Sequence, residues 1–114
     1  MTTIFARVET ALGTISPAVP FAMAPYEGSL PDQFIVHQLL PSPPHDHADN
    51  VEIARAYFVQ VTIWSKSGLA VLPDVDAAMK AAGFKKGSER QLPKDSQSGH
   101  YGLATDYLYL EITL

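Results

Sequence analysis

Four side chains with metal-ligand chemistry lie close together in the middle of the chain: His45, Asp46, His47 and Asp49. Imidazole and carboxylate groups bind Zn²⁺ or a harder ion, and alternate residues of an extended segment can converge on one ion. However, segment 41–50 is rich in proline and polar residues, and nothing in the sequence fixes a further ligand beside these four. We therefore interpret it as a solvated loop between two strands and predict no bound metal. A small metal-dependent enzyme using His45, His47 and Asp49 is the less favoured alternative.

The rest of the sequence carries no clear signature of catalysis. His37 and His100 could each act as a general base, but single histidines of this kind are more often structural or exposed. The serines have no G-x-S-x-G motif around them, and the glycines form no phosphate-binding motif. The chain also has no cysteine, which excludes thiolate chemistry. We predict no catalytic residue and no cofactor.

Charge and hydropathy restrict the partners. The 114 residues include 8 Lys+Arg and 12 Asp+Glu, a net charge of −4. Nucleic-acid binding needs a concentrated positive surface, so we expect no specific nucleic-acid binding. No apolar run approaches the roughly 20 residues of a membrane span, and the N-terminus lacks the pattern of a signal peptide. We expect a single cytoplasmic domain, 1–114, with no membrane partner.

A central β-strand is predicted at 55–66, which is dense in β-branched and aromatic residues and contains no Gly or Pro. Its side chains alternate between two faces. The set assigned to the core is apolar and consists of Tyr57, Val59, Val61 and Ile63. The other set mixes polar residues with Phe58 and Trp64, so we expect another element or another subunit to cover part of it.

Two amphipathic helices and further strands surround this strand. Apolar residues at helical spacing predict a helix capped by Thr2 or Thr3 and ended by Gly13 in the left-handed conformation. A second helix is predicted at 72–82, with Pro73 in its first turn and Gly83 as its stop. Further strands are predicted at 16–25 (a sheet edge), 34–40, 84–92 (ambiguous) and 101–114. The fold class is therefore α+β: a mostly antiparallel β-sheet of four to five strands with two amphipathic helices packed on one face.

Aromatic residues on the non-core faces are the most informative feature for function. Phe58, Trp64, Tyr107 and Tyr109 would form one patch if their strands are neighbours, because Leu108 and Leu110 alternate onto the other face of the last strand. Asp106 falls on the side of those leucines, and we expect it at the frayed strand end. Exposed aromatic patches favour protein interfaces. The alternative, that the first helix or the Pro-rich segment covers the patch within one subunit, stays open.

Several short motifs occur in an order and spacing that resemble a known family. They are Leu30-Pro31 before Phe34-Ile35-Val36, Ala48-Asp49-Asn50, the run V-Q-V-T-I-W-S-K at 59–66, Gly83-Phe84, and a closing tyrosine-rich strand at 107–112. From about Pro20 to the end, the chain resembles the small tail-terminator and tail-completion proteins of long-tailed bacteriophages and prophages. The segment 41–47 is richer in proline and histidine than that family pattern.

The resemblance implies a non-enzymatic assembly protein with a sheet flanked by helices. Such proteins form a ring, commonly of six subunits, which caps the tail tube, ends its polymerisation and offers a surface to the head–tail connector. The implied partners are other copies of the chain, the tail-tube protein and the connector, at the head-proximal end of the virion tail. A ring needs two unlike surfaces on each subunit. Our candidates are the aromatic patch and the loop residues His45, Asp46, His47, Asp49 and Asn50. A head-closure or connector protein is the alternative structural role.

Overall fold

A computed structural model describes residues 3–16, 18–24, 29–40, 44–48 and 51–112, and it describes the backbone alone at 44–48, 51–55 and 112. Within these ranges, two helices and six strands occur in chain order. They are α1 (Ile4–Leu12), β1 (Phe21–Met23), β2 (Gln33–Leu40), β3 (Pro44–Ala48), β4 (Val51–Ser65), α2 (Val75–Ala81), β5 (Lys85–Leu92) and β6 (Tyr101–Ile112).

One mixed sheet organises the molecule. Five strands follow the order β1-β2-β4-β6-β5, and β3 pairs with β4 in addition. All pairs are antiparallel except β1–β2. The predicted α+β class, with a mostly antiparallel sheet and two helices, is confirmed. At about 3.3 Å per residue, the 15 residues of β4 span roughly the longest dimension of the molecule, 51 Å.

The prediction of an unpaired loop at 41–50 is wrong for β3. The backbone of Pro44–Ala48 pairs with the first part of β4, where His45 lies opposite Ala54 and His47 opposite Glu52. Beyond this point the same edge of β4 pairs with β2, so β2 and β3 follow one another along that edge. A proline is tolerated at a strand start, so Pro44 does not prevent this segment from pairing with β4. The side chains of the histidine cluster, and Asp49 and Asn50 entirely, lie outside the described residues.

The first helix packs as predicted, except at its end. Thr3 is its N-cap, and the Thr3 hydroxyl accepts a hydrogen bond from the backbone N–H of Ala6 at 3.1 Å. Gly13, however, has φ −68° and not the left-handed conformation that we expected. Its N–H still donates to the carbonyl of Glu9, and the Thr14 hydroxyl donates to the carbonyl of Ala11 at 2.7 Å. The chain therefore satisfies its last helical carbonyls without a left-handed residue.

The second helix has the predicted stop but begins later. Asp74 is its N-cap and accepts from the N–H of Ala77 at 3.0 Å, so Pro73 precedes the cap and does not lie in the first turn. At the other end Gly83 has φ +94°. The N–H of Phe84 donates to the carbonyl of Met79, the pairing of a Schellman motif. Phe84 is buried, so this stop also contributes to the core.

Both helices pack on the same face of the sheet, which we call the covered face. The buried core there joins the inner sides of both helices to the central strands; its members are Ile4, Val8, Ala11, Leu12, Ile15, Ile35, Val59, Val61, Ile63, Val75, Ala78, Met79, Phe84 and Tyr107. In the described part of the chain no helix lies on the opposite face, which we call the open face.

Candidate functional site

The open face is built from alternate residues of three neighbouring strands. The register aligns them in rows across β2, β4 and β6: Phe34–Trp64–Gly102, Val36–Thr62–Ala104, Gln38–Gln60–Asp106 and Leu40–Phe58–Leu108. Each row contributes side chains to one face because successive residues of a strand point to opposite sides. The rows differ in character, which divides the open face into an apolar end, a polar middle and a packed end.

The apolar end lies next to the part of β4 that pairs with β3. Phe58 is 39% exposed and Leu110 is 47% exposed, although both are large apolar residues. Leu40 and Leu108, which flank Phe58 across the sheet, are half-buried. We call these four residues the apolar patch. Large apolar side chains grouped on an exposed surface mark an interaction site more reliably than a single exposed one.

The middle row carries polar side chains that bond to one another. The Gln38 amide donates to the Gln60 side-chain oxygen at 2.9 Å. Asp106 lies in mid-strand and not at a frayed end as we expected, and the Arg90 guanidinium from β5 reaches its Oδ2 at 3.4 Å. The other oxygen, Oδ1, is buried without a hydrogen-bond partner among the described residues. The polar row therefore closes the apolar patch on one side and leaves one acceptor unsatisfied.

The far end of the open face is packed internally. The Trp64 ring lies against Gly102, and Phe34 meets His100 edge to face with centroids 5.0 Å apart. His100 is buried, and its Nε2 lies 2.8 Å from the Pro31 carbonyl, to which it donates. Trp64 is thus on the predicted face, but much of its surface is used within the chain.

The prediction that four aromatic residues share one patch is wrong for Tyr107 and Tyr109. Tyr107 is paired with Val59, not with Phe58, and only 1% of it is exposed on the covered face. Tyr109 packs on Phe84, with ring centroids 5.1 Å apart. The leucines of β6 take the exposed side instead. A tyrosine can enter a core when its hydroxyl finds a partner, and here the Asp76 carboxylate at the start of α2 accepts from Tyr107.

The Tyr107–Asp76 pair belongs to a small charged network at the start of α2. Lys86 contacts the Asp76 carboxylate at 2.8 Å and Glu89 at 3.3 Å. Burial acts to raise the pKa of Asp76, but the hydrogen bonds from Lys86 and Tyr107 outweigh it, so this pKa is lowered. Burial, together with the hydrogen bond to Asp76, raises the pKa of the Tyr107 phenol. The network fastens α2 to β5 and β6, which is a structural role.

His37 and His100, the histidines considered as general bases, are both buried in structural contacts. His37 lies 3.3 Å from a Glu9 carboxylate oxygen and links β2 to α1. In the part of the chain with described side chains, no group of three or more His, Asp or Glu could hold a metal ion. No described helix is long and apolar enough to cross a bilayer.

Alternation along β4 was enough to place Phe58 and Trp64 on the open face. Leu40, Leu108 and Leu110 were missed as candidate interface residues, because a leucine in a strand is by default assigned to the core. One signal in the sequence could have indicated the exposed side of β6. A hydrogen bond from the Tyr107 hydroxyl to Asp76, at the acidic start of the second helix, would turn Tyr107 towards the core and the leucines of β6 towards the other face. No protein-family model matches this sequence, and no curated protein matches it either.

Proposed function

We propose that the chain is a structural assembly protein of a long-tailed bacteriophage or prophage, which caps the tail tube as an oligomeric ring. In this role it ends tail polymerisation and provides the surface for head joining. The order of motifs along the sequence supports the family, and one structural observation carries the argument for assembly. That observation is the apolar patch on the open face: Leu40, Phe58, Leu108 and Leu110.

The apolar patch lies on the open face, while the buried core lies on the covered face. Burial of the patch against another protein is therefore favoured. Phe58 and Leu110 are more than a third exposed, while the residues of the core beneath them are almost fully buried. Burying apolar surface contributes roughly 25 cal/mol per Å². A subunit contact through this end of the face would therefore be favoured without any new backbone pairing.

At the β5 edge of the sheet, the residues disfavour contact through the edge and so favour contact through the face. In β5, at the edge of the sheet, all residues are exposed except Leu92, and Lys85, Lys86, Glu89 and Arg90 are charged. A shift in register between Lys86 and Glu89 also interrupts its pairing with β6. Charged, bulged edge strands resist the addition of another strand. The ring contact that we propose is consequently a side-chain contact on the open face.

The test is assembly of the purified chain, alone and with phage tail tubes. Sedimentation and native mass spectrometry measure oligomers in solution, and electron microscopy detects rings at tube ends. Phe58→Glu places a charge in the apolar patch, so we expect it to abolish assembly while the monomer stays folded. A wild-type chain that stays monomeric at high concentration and never occupies tube ends would refute the proposal.

Val71→Glu is the matched control. Val71 is 80% exposed and lies between β4 and α2, outside the apolar patch. The same exchange of an exposed apolar side chain for a carboxylate should leave assembly unchanged there. Equal loss with both variants would mean that added negative charge, and not the patch, controls association in this acidic chain.

A further inference from the structure

The edge of the sheet opposite β5 is formed by β1, and it lacks the charges and the register shift that protect β5. The described segment 18–24 contains no charged residue, and none of its residues is buried. Met23 is 47% exposed. An uncharged, exposed edge strand is a template for pairing with another strand. The two ends of the sheet therefore differ, because β5 resists the addition of a strand and β1 favours it.

The backbone of β1 directs hydrogen-bonding groups away from the sheet. The Pro20 carbonyl accepts a hydrogen bond from β2, and the Ala24 N–H donates one to β2, each at 2.9 Å. Alternate residues of a paired strand direct their N–H and C=O groups to the same side. The intervening residues Phe21 and Met23 therefore direct theirs outward, where no described strand pairs with them. This edge offers donors and acceptors for one more strand.

A second open edge lies on the same side of the sheet. Among the described strands, β3 pairs only with β4, where it follows β2 along the same edge. Because β1 is added to β2, the β1 edge projects by one strand spacing, about 4.8 Å, beyond the β3 edge. This side of the molecule is therefore stepped. The projection is β1, with three residues, and the recess lies beside the five-residue backbone of β3.

We propose that two copies of this chain join through the stepped edge, with β1 of each copy paired antiparallel to β3 of the other. The strands β1, β2 and β3 run in one direction, opposite to β4. A two-fold rotation about an axis perpendicular to the sheet reverses that direction and exchanges the two ends of the edge. It therefore places the projection of each copy in the recess of the other and joins the two sheets into one.

The shape of the edge favours a second copy as the occupant. One chain carries both the projection and the recess, and a single rotation fills both at once. Leu39, which is 39% exposed, lies two residues beyond the residue of β2 that pairs with Met23, on the side towards β3. Burial of Leu39 and Met23 in the joined edge would add to the backbone hydrogen bonds. The open face takes no part in this contact, so the inference does not depend on the proposed ring.

Cysteine cross-linking tests the arrangement, because the chain contains no cysteine of its own. Met23→Cys is combined in turn with a cysteine at each of positions 45–48. We expect disulfide-linked dimers under mild oxidation, with yields that alternate along β3 because successive side chains of a strand point to opposite faces.

Such a disulfide can form only between two copies. Within one copy, Met23 aligns with Val61 of β4 through its pairing with β2. The nearest of the four positions, His45, aligns with Ala54, which is seven residues and about 23 Å away at 3.3 Å per residue. A disulfide needs Cα atoms within roughly 7 Å of each other.

Two controls separate the explanations. Met23→Cys alone should give no covalent dimer, because each Met23 lies beside β3 of the other copy and far from the second Met23. A covalent dimer of this single variant would mean that β1 pairs with β1, and it would overturn the inference. Val71→Cys combined with the same β3 cysteines measures random collisions, since Val71 is 80% exposed and lies outside the edge. Yields with Met23→Cys no higher than these would also overturn it.

Met23→Glu tests the same contact without cross-linking. A charge on an edge strand resists an added strand, so the dimer dissociation constant in sedimentation should rise by roughly tenfold or more. Val71→Glu should leave it unchanged, and so should Phe58→Glu, because Phe58 lies on the open face. A wild-type chain that forms no two-fold dimer at high concentration would overturn the inference, while rings that form without this contact would leave the proposed function standing.

Discussion

The Trp64 indole lies directly against Gly102 on the neighbouring strand, at the packed end of the open face. A Cβ atom built on Gly102 would come within 2.7 Å of one ring carbon and 3.0 Å of two others. Such distances are shorter than van der Waals contact, so the ring occupies the space that any other residue at 102 would need. Trp64 therefore covers the sheet surface at Gly102, and the exposed large apolar side chains of the open face are those of the apolar patch.

Gly102→Ala is therefore expected to destabilise the chain by about 1–3 kcal/mol, the usual cost of overpacking a well-packed site. The free energy of unfolding, measured in urea by tryptophan fluorescence, tests this directly. Since Trp64 is the one tryptophan of the chain, the native emission should also shift as the ring is displaced.

Gly13→Ala is the control for this prediction. Gly13 has φ −68°, which alanine adopts without strain, and its Cβ atom would lie 3.3 Å from the Glu9 carbonyl oxygen, so the exchange should change the free energy of unfolding by no more than about 1 kcal/mol. A similar loss of stability in both variants would show that glycine-to-alanine exchange is costly throughout this chain, and the contact with Trp64 would lose its special role.

Local patterns predicted most of the elements, because their causes are local. Helical spacing and capping residues placed both helices, and β-branched composition located β2 and β4. The strand at Pro44–Ala48 was missed because its proline and polar residues disfavour a strand. Pairing with β4 stabilises this strand nevertheless, and no local sequence pattern indicates that pairing. Tertiary pairing here overrides intrinsic preference.

The candidate site was only half predictable for a similar reason. Alternation divides a strand into two faces but does not say which face the helices cover. On β4 the choice was clear, since Val59, Val61 and Ile63 are all apolar. On β6 the leucines were the more apolar set, yet Tyr107 enters the core because Asp76 of α2 accepts a hydrogen bond from its hydroxyl group. That partner becomes visible only when α2 is positioned over the sheet.

Asp76 is expected to make the stability of the chain depend on acidic pH. Its pKa in the folded state is lowered from the ordinary value of 3.8. The ionised carboxylate therefore contributes stability above that value, and this contribution is lost as the pH falls through the lower, folded-state pKa. Asp76→Asn should be less stable than the wild type near neutral pH, and the difference in unfolding free energy should shrink below pH 4.

Denaturant titrations of both proteins across the acidic range measure this difference. The shrinking gap is the diagnostic result, because a loss of packing alone would be the same at every pH. If the gap between wild type and Asp76→Asn stays constant down to the lowest pH at which both fold, the charge of Asp76 does not stabilise α2.

The same leucine-to-alanine exchange should lower the free energy of unfolding strongly on the covered face and hardly at all in the apolar patch. Leu12 on α1 is 1% exposed on the covered face, whereas Leu110 on β6 is 47% exposed in the apolar patch. Leu12→Ala leaves a cavity in the core and should cost about 2–5 kcal/mol of unfolding free energy. Leu110→Ala removes a side chain that is largely in water, so its cost should stay within about 0.5 kcal/mol.

The effects of these two exchanges on subunit association should have the reverse order. Leu110→Ala removes apolar surface that the proposed ring contact would bury, so it should weaken subunit association, while Leu12→Ala should associate normally at temperatures where it is folded. Val71→Ala, which shortens an exposed apolar residue elsewhere, is the control for Leu110→Ala and should change neither quantity. If Leu110→Ala destabilises the monomer as much as Leu12→Ala does, the apolar patch is covered within one chain and is not available to a partner.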